Sequence, residues 1–169
     1  GQYGLVYVAD HGIDADLIGA YLASFGAFTE RPRAEKEAVA RPDIWYQRGW
    51  TPPNTEQAVL AAGQPDFKEC YFAAPEPFDP VAAEQYPQIY APNVWPEDDD
   101  GRLERGLLDL GHALHDVGRR LLRGCAHALG LVPFAFEEQI HGGPHVTRAL
   151  RYLPLDASQA GTDVLWGEE

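Results

Sequence analysis

Methionine is absent from all 169 residues, position 1 included, and cysteine occurs only as Cys70 and Cys125. Two cysteines cannot build a disulfide framework, so the expected compartment is reduced and cytoplasmic. They lack zinc spacing, which excludes a structural zinc site. Serine is confined to Ser24 and Ser158, neither in a nucleophile-elbow context. Neither a Gly-x-Gly-x-x-Gly turn nor a phosphate loop occurs. No apolar run approaches 18 residues and no charged-then-apolar leader opens the chain, so neither a membrane partner nor a secretory signal is expected. Positive charge is scarce: 13 Lys+Arg against 26 Asp+Glu leave a net charge of −13, and no basic run exceeds Arg119-Arg120. A nucleic-acid partner, which requires phosphates to be neutralised, is therefore not expected.

What is present is a chain of one-domain length, 45% hydrophobic and 11% aromatic, a composition that buries a core and is not that of a disordered polymer. It opens on Gly1-Gln2-Tyr3-Gly4-Leu5-Val6-Tyr7-Val8, a strand already under way, and closes on Trp166-Gly167-Glu168-Glu169 without a cap. The expectation is a piece of a longer protein.

Leu5 to Val8 reads as a strand bounded by Gly4 and Asp10-His11-Gly12. Asp14 or Asp16 then caps a helix with Leu17, Ile18, Tyr21, Leu22, Phe25 and Phe28 on one face, interrupted by Pro32. Ala34 to Glu37 forms one further exposed turn. From Arg41 to about Trp95, ten prolines counted to Pro96 exclude long helices and central strands, yet ten aromatics run through the same stretch. An ordered, irregular wrap that packs on something satisfies both facts. Asp98-Asp99-Asp100 opens a helix of about 27 residues, roughly 40 Å at 1.5 Å per residue. Its apolar stripe is Leu103, Leu107, Leu110, Leu114, Val117, Leu121, Cys125 and Ala128, which places Cys125 in the core. Gly130 and Pro133 end it. Phe134 to Ile140 suggests a short helix, and Val146 to Leu153 a strand.

Six histidines invite a metal reading. His112 and His115 stand at i, i+3 with Asp116 beside them, and a hydrolytic metal site there would need a third ligand that the sequence does not supply. His141 and His145 could meet across a turn. His11 reads as a turn residue whose ring bonds local backbone. No His-x-Asp or His-x-Glu occurs, and a nucleophilic Cys70 would need a base that cannot be assigned. Arg148 and Arg151 lie on the last strand beside Tyr152. Alternation places Arg148 with Leu150 and Tyr152 on one face, and Arg151 with Ala149 and Leu153 on the other. In a chain this acidic, each Arg is either an ion-pair partner, for example of Glu137 or Glu138, or a ligand for an anion.

The order of several short motifs resembles the N-terminal half of the isopenicillin N synthase-like iron(II)/2-oxoglutarate oxygenases. Gly4-Leu5-Val6-Tyr7-Val8-Ala9-Asp10-His11-Gly12-Ile13 resembles that family's entry strand and turn. Pro32-Arg33-Ala34-Glu35-Lys36, Arg48-Gly49-Trp50, Asp66-Phe67-Lys68-Glu69-Cys70-Tyr71 and Asn93-Val94-Trp95-Pro96 follow in the family's order. Ala126-His127-Ala128-Leu129-Gly130-Leu131 and Leu150-Arg151-Tyr152-Leu153-Pro154 complete the series. Leu153 stands where plant-like members place Tyr, and Arg151 where some members acting on carboxylated substrates keep an Arg.

The resemblance implies an α+β fold: a helical N-terminal region, residues 1–145, packed on a distorted double-stranded β-helix (jelly roll). Residues 146–169 would give only its first strands and end before the iron ligands. It implies an oxygenase with Fe(II) as cofactor and 2-oxoglutarate as cosubstrate, performing hydroxylation, desaturation or cyclisation on a small molecule that carries a carboxylate. His-x-Asp would follow shortly after Glu169, and no catalytic or metal residue is expected within the chain. Arg151, Arg148 and Tyr152 would contact substrate or cosubstrate, and Trp50, Arg48 and Glu56 would roof the site. The alternative is a non-catalytic scaffold that keeps this architecture.

Overall fold

In the computed structural model, which describes residues 7–56, 66–97 and 99–154, Asp14 starts the first helix by accepting the Asp16 N–H at 2.9 Å. This helix, α1 (Ala15–Thr29), buries Phe25, Phe28 and Thr29 and leaves Leu22 exposed. Leu5 and Val6 lie outside the described residues, and Tyr7 and Val8 carry no strand. After Pro32 comes the exposed turn α2 (Arg33–Glu37), then a 3-10 turn at Pro42–Ile44.

The proline-rich stretch holds more regular structure than its composition predicts. Two strands lie in it, β1 (Gly49–Thr51) and β2 (Lys68–Ala73), with the short helix α3 (Pro80–Gln85). The expectation that prolines exclude a central strand is corrected, because β2 pairs antiparallel with β1 on one side and with β3 (Thr147–Tyr152) on the other. Pro75 and Pro77 come after β2 has ended, so no ladder hydrogen bond is lost to them. The rest of the wrap is tied to the sheet by side chains. Asn93 takes both the N–H and the C=O of Ala74, at 2.7 and 2.9 Å. The Tyr71 hydroxyl donates to Val94 O at 2.6 Å, and its ring stacks on Trp95. Burial raises the Tyr71 pKa, so this hydroxyl stays a donor.

The long helix α4 (Arg102–Ala128) has the 27 residues that its periodicity predicts, and α5 (Glu137–Ile140) follows. Only the first half of its stripe is covered: Leu103, Leu107 and Leu110 are buried, whereas Leu114, Leu121 and Leu129 are exposed. Cys125 is exposed too, which corrects its placement in the core. The reason is length. The 15 residues of α1 extend about 22 Å at 1.5 Å per residue, roughly half the length of α4. One core results, with Phe25, Phe28, Leu103 and Leu107 of the helices against Trp50, Tyr71, Ala73 and Ala149 of the sheet. No described helix is long and apolar enough to cross a membrane.

Candidate functional site

Register sorts the strand residues onto two faces. Trp50, Tyr71 and Ala149 form one row, flanked by Glu69 with Arg151, and this face packs on the helices. Thr51, Cys70 and Leu150 form the row on the opposite face, flanked by Lys68 with Tyr152 and by Phe72 with Arg148. The predicted alternation therefore holds, with Arg148 and Arg151 on opposite faces.

On the helix side, Glu69 is the hub. Its side chain is 1% exposed and accepts from Trp50 Nε1 at 2.9 Å and from Lys36 Nζ at 2.8 Å. Lys36 also donates to Thr29 O and lies over the Trp50 ring. Arg151 joins the edge of this network, donating to the Thr29 hydroxyl at 2.6 Å and pairing with Glu30 at 2.8 Å, with Glu69 at 3.7 Å. Trp50 is part of the core, 1% exposed. Arg48 is equally buried and binds three carbonyls, those of Gln47, Ala91 and Ile89, while its face covers Phe78. Burial lowers its pKa. Both residues position the wrap.

The opposite face brings Arg148, Glu56 and Tyr152 together with residues that the sequence did not single out. Arg148 Nη2 meets Glu56 Oε2 at 2.5 Å and Cys70 Sγ at 3.5 Å, and its guanidinium lies over Phe72. Lys68 is buried and pairs with Asp66 at 2.7 Å and with Glu56 at 3.4 Å. Its ammonium faces the Tyr152 ring, which also packs on Phe67. Glu56 is fixed through its backbone, whose carbonyl accepts the Asp66 N–H at 2.9 Å. Burial raises the Cys70 thiol pKa, opposed in part by Arg148, so a protonated thiol and not a nucleophile sits here. Among the described residues, Glu56 pairs with Arg148, and Glu30 and Glu69 pair with Arg151. Glu137, the partner considered from sequence, binds Arg119 and Arg123 instead.

The histidines form a separate group. His115 on α4 packs at a tilt against His145 with ring centroids 4.5 Å apart, and His145 Nε2–H donates to Ile140 O. His112 faces Glu76 at 3.7 Å. His11 accepts the Ile13 N–H through Nδ1, as its turn context predicts. Among the described residues no three His, Cys, Asp or Glu come together to hold a metal, so the His112/His115 metal reading has no support. Burial, and secondly the facing His145, lowers the His115 pKa. A depressed folded pKa favours the neutral ring, so its contribution is present above the ordinary imidazole value of about 6.5 and is lost as pH falls below it. Urea unfolding from pH 7.5 to 5 is therefore expected to show falling stability, with a smaller slope in His115→Phe. An unchanged slope would contradict the assignment.

Three comparisons set this geometry among known proteins. A family model described as "non-haem dioxygenase in morphine synthesis N-terminal" matches residues 1–98. Kihadalactone A synthase of Citrus sinensis is 31% identical over 150 residues, which make up 83% of this chain and 42% of that protein. The crystal structure of a 2OG-Fe(II) oxygenase family protein from Caulobacter crescentus aligns with TM-score 0.72 at 28% identity, over 90% of this chain and 49% of that one. JOX2 in complex with 2OG, Fe and JA shares the fold at TM-score 0.60, with 86% of this chain covering 39% of its own. The chain spans less than half the length of these relatives.

Proposed function

The chain belongs to the family of the non-haem dioxygenase N-terminal region, and from that premise we propose that its complete polypeptide is an iron(II)/2-oxoglutarate-dependent oxygenase of a small, carboxylate-bearing molecule. The observation that carries the reading is the alignment of 90% of the chain with about half of a 2OG-Fe(II) oxygenase family protein. On this reading β3 (Thr147–Tyr152) is an early strand of a jelly roll that residues 1–145 flank; the rest of the expected 146–169 segment, residues 155–169, lies outside the described residues.

The described residues do not fit an iron, since no three potential ligands converge. The metal and the atoms that hold it belong to the remainder of the polypeptide. What this half contributes is support and recognition. α1 and α4 cover one face of the sheet and fix the strands. The other face presents Arg148, Tyr152 and Glu56 to a small molecule, with Lys68 buried beneath them, whereas Arg151 lies on the helix-packed face, paired with Glu30.

Iron and 2-oxoglutarate added to the complete polypeptide without oxygen, then exposed to air, should yield succinate. Residues 1–169 alone should bind no stoichiometric iron, and with the Leu114–Leu129 stripe uncovered they should self-associate. A reading frame lacking His-x-Asp and a distal His, or a complete polypeptide that never forms succinate, would leave the scaffold alternative standing.

A further inference from the structure

We propose that His115 and His145 form an acid-released clasp that holds the start of β3 against α4. In neutral solution the two rings pack and the strand start is fixed; in acid the contact opens and residues 141–147 loosen. The inference is independent of the oxygenase reading.

β3 meets α4 at two points one helical turn apart. At the first, Gly111 lies so close to the strand that a Cβ there would overlap the Thr147 hydroxyl. At the second, four residues on, the His115 ring packs on His145 at an interplanar angle of 59°. The first contact is steric and does not titrate, whereas the second is built from two imidazoles. His145 is also preceded by Gly142, at φ +64°, and Gly143, which let the backbone turn at little cost. An Asp79 N–H bond to Gly142 O, at 3.0 Å, secures the far end of this segment. The histidine pair borders two cavities, of about 290 and 390 Å³, so a displaced ring has room to move and water has room to enter.

The surroundings decide which form of His115 is held. Burial disfavours its imidazolium first, and the facing His145 second; Arg119, on the same helix, acts in the same sense. Glu76, from the segment after β2, and Asp116 act in the opposite sense, and the balance leaves the His115 pKa below its ordinary value. Part of the Glu76 charge faces His112, and Glu137 of α5 is taken up by Arg119 and Arg123. His141 lines the smaller cavity. Tyr21 of α1 lines the larger one, where burial raises its pKa and keeps it uncharged. Neutral rings can therefore pack above the ordinary imidazole value of about 6.5. Below it, a proton on His115 puts charge into a half-buried contact, and a second on His145 adds like-charge repulsion. Protonation thus favours the open form, and the contact is lost as pH falls. Arg148 stands one residue past Thr147, so the clasp fixes the strand start that carries it.

The test follows amide hydrogen exchange in the complete polypeptide at pH 7.5 and 5.0, with rates corrected for the intrinsic effect of pH on exchange. Protection of residues 141–147 should fall several-fold at pH 5.0. Protection of α1 should hold, which separates local release from general acid unfolding. His115→Phe keeps an aromatic ring that cannot titrate, and it should preserve protection at both pH values; His145→Phe serves the same purpose should His115→Phe not fold. By NMR of labelled histidine, the His115 midpoint should lie below about 6.5 in the wild type. It should rise in His145→Phe and stop short of that value, because burial remains. The proposal is overturned by equal protection at both pH values in the wild type, or by a parallel loss in α1. It is equally overturned by a loss that persists in the phenylalanine variants, or by a His115 midpoint indifferent to His145. None of these readouts involves succinate, so the clasp and the oxygenase reading can fail separately.

Discussion

Glu69→Ala should abolish stable folding or come close to it. The Glu69 carboxylate is the common acceptor for Lys36 Nζ and Trp50 Nε1, and it has almost no contact with solvent. Removing one partner of a buried ion pair leaves the other charged and dry, at a cost of about 3–5 kcal/mol. The indole N–H adds about 1–3 kcal/mol for a lost buried bond. Against a total domain stability of about 5–15 kcal/mol, that is most of what is available. Urea unfolding of the complete polypeptide measures it. Lys36→Met combined with Glu69→Leu should recover the ionic part, since a buried pair replaced by apolar groups is often neutral. A loss below about 1 kcal/mol in Glu69→Ala would show that the network is incidental.

Gly49→Ala should be nearly as damaging, for a reason in the backbone. Gly49 has φ +75°, and a Cβ built there would overlap the carbonyl of Val39. That same carbonyl accepts the Trp50 N–H at 3.1 Å, so the chain cannot simply move away. A left-handed residue costs an L-amino acid about 1–2 kcal/mol, and displacing Val39 adds the lost bond and the disturbed packing of a core tryptophan. Gly12 is the control, with φ +77° and open space around it. Gly12→Ala should cost only the conformational part, and soluble yield with thermal denaturation of the two variants separates the contributions. Equal losses would mean that the contact with Val39 is immaterial.

Local signals carried the helices well. Asp14 and the spacing of Tyr21, Phe25 and Phe28 gave α1, and heptad-like leucines gave the whole length of α4. Alternation likewise separated Arg148 from Arg151 before any partner was known. What the sequence could not supply was distance along the chain converted into contact. Lys36 and Glu69 stand 33 residues apart, and each appeared only as part of a family-like motif until the fold joined them. Glu56 and Arg148 are separated by 92 residues, and no local pattern points from one to the other, so sequence alone offers Glu137 or Glu138 only as examples of a partner. Cys125 shows the converse. Its apolar register was read correctly, but burial depends on a covering element, and α1 ends too soon to provide one.

The sheet also carries a timetable. Cys70 of its central strand lies 78 residues ahead of Arg148 on the last one. At a synthesis rate of 5–20 residues per second, β2 waits roughly 4–16 s after its own translation before β3 emerges to pair with it. During that interval the β1–β2 ribbon leaves the β2 edge unpaired, a form prone to pairing with a neighbouring chain. Lys68 and Glu69, adjacent and of opposite sign at the start of β2, place a charge on each face of that edge. Charges so placed disfavour wrong pairing while the strand stands alone. The two residues that end as buried ion-pair members thus serve first as guards of the nascent polypeptide.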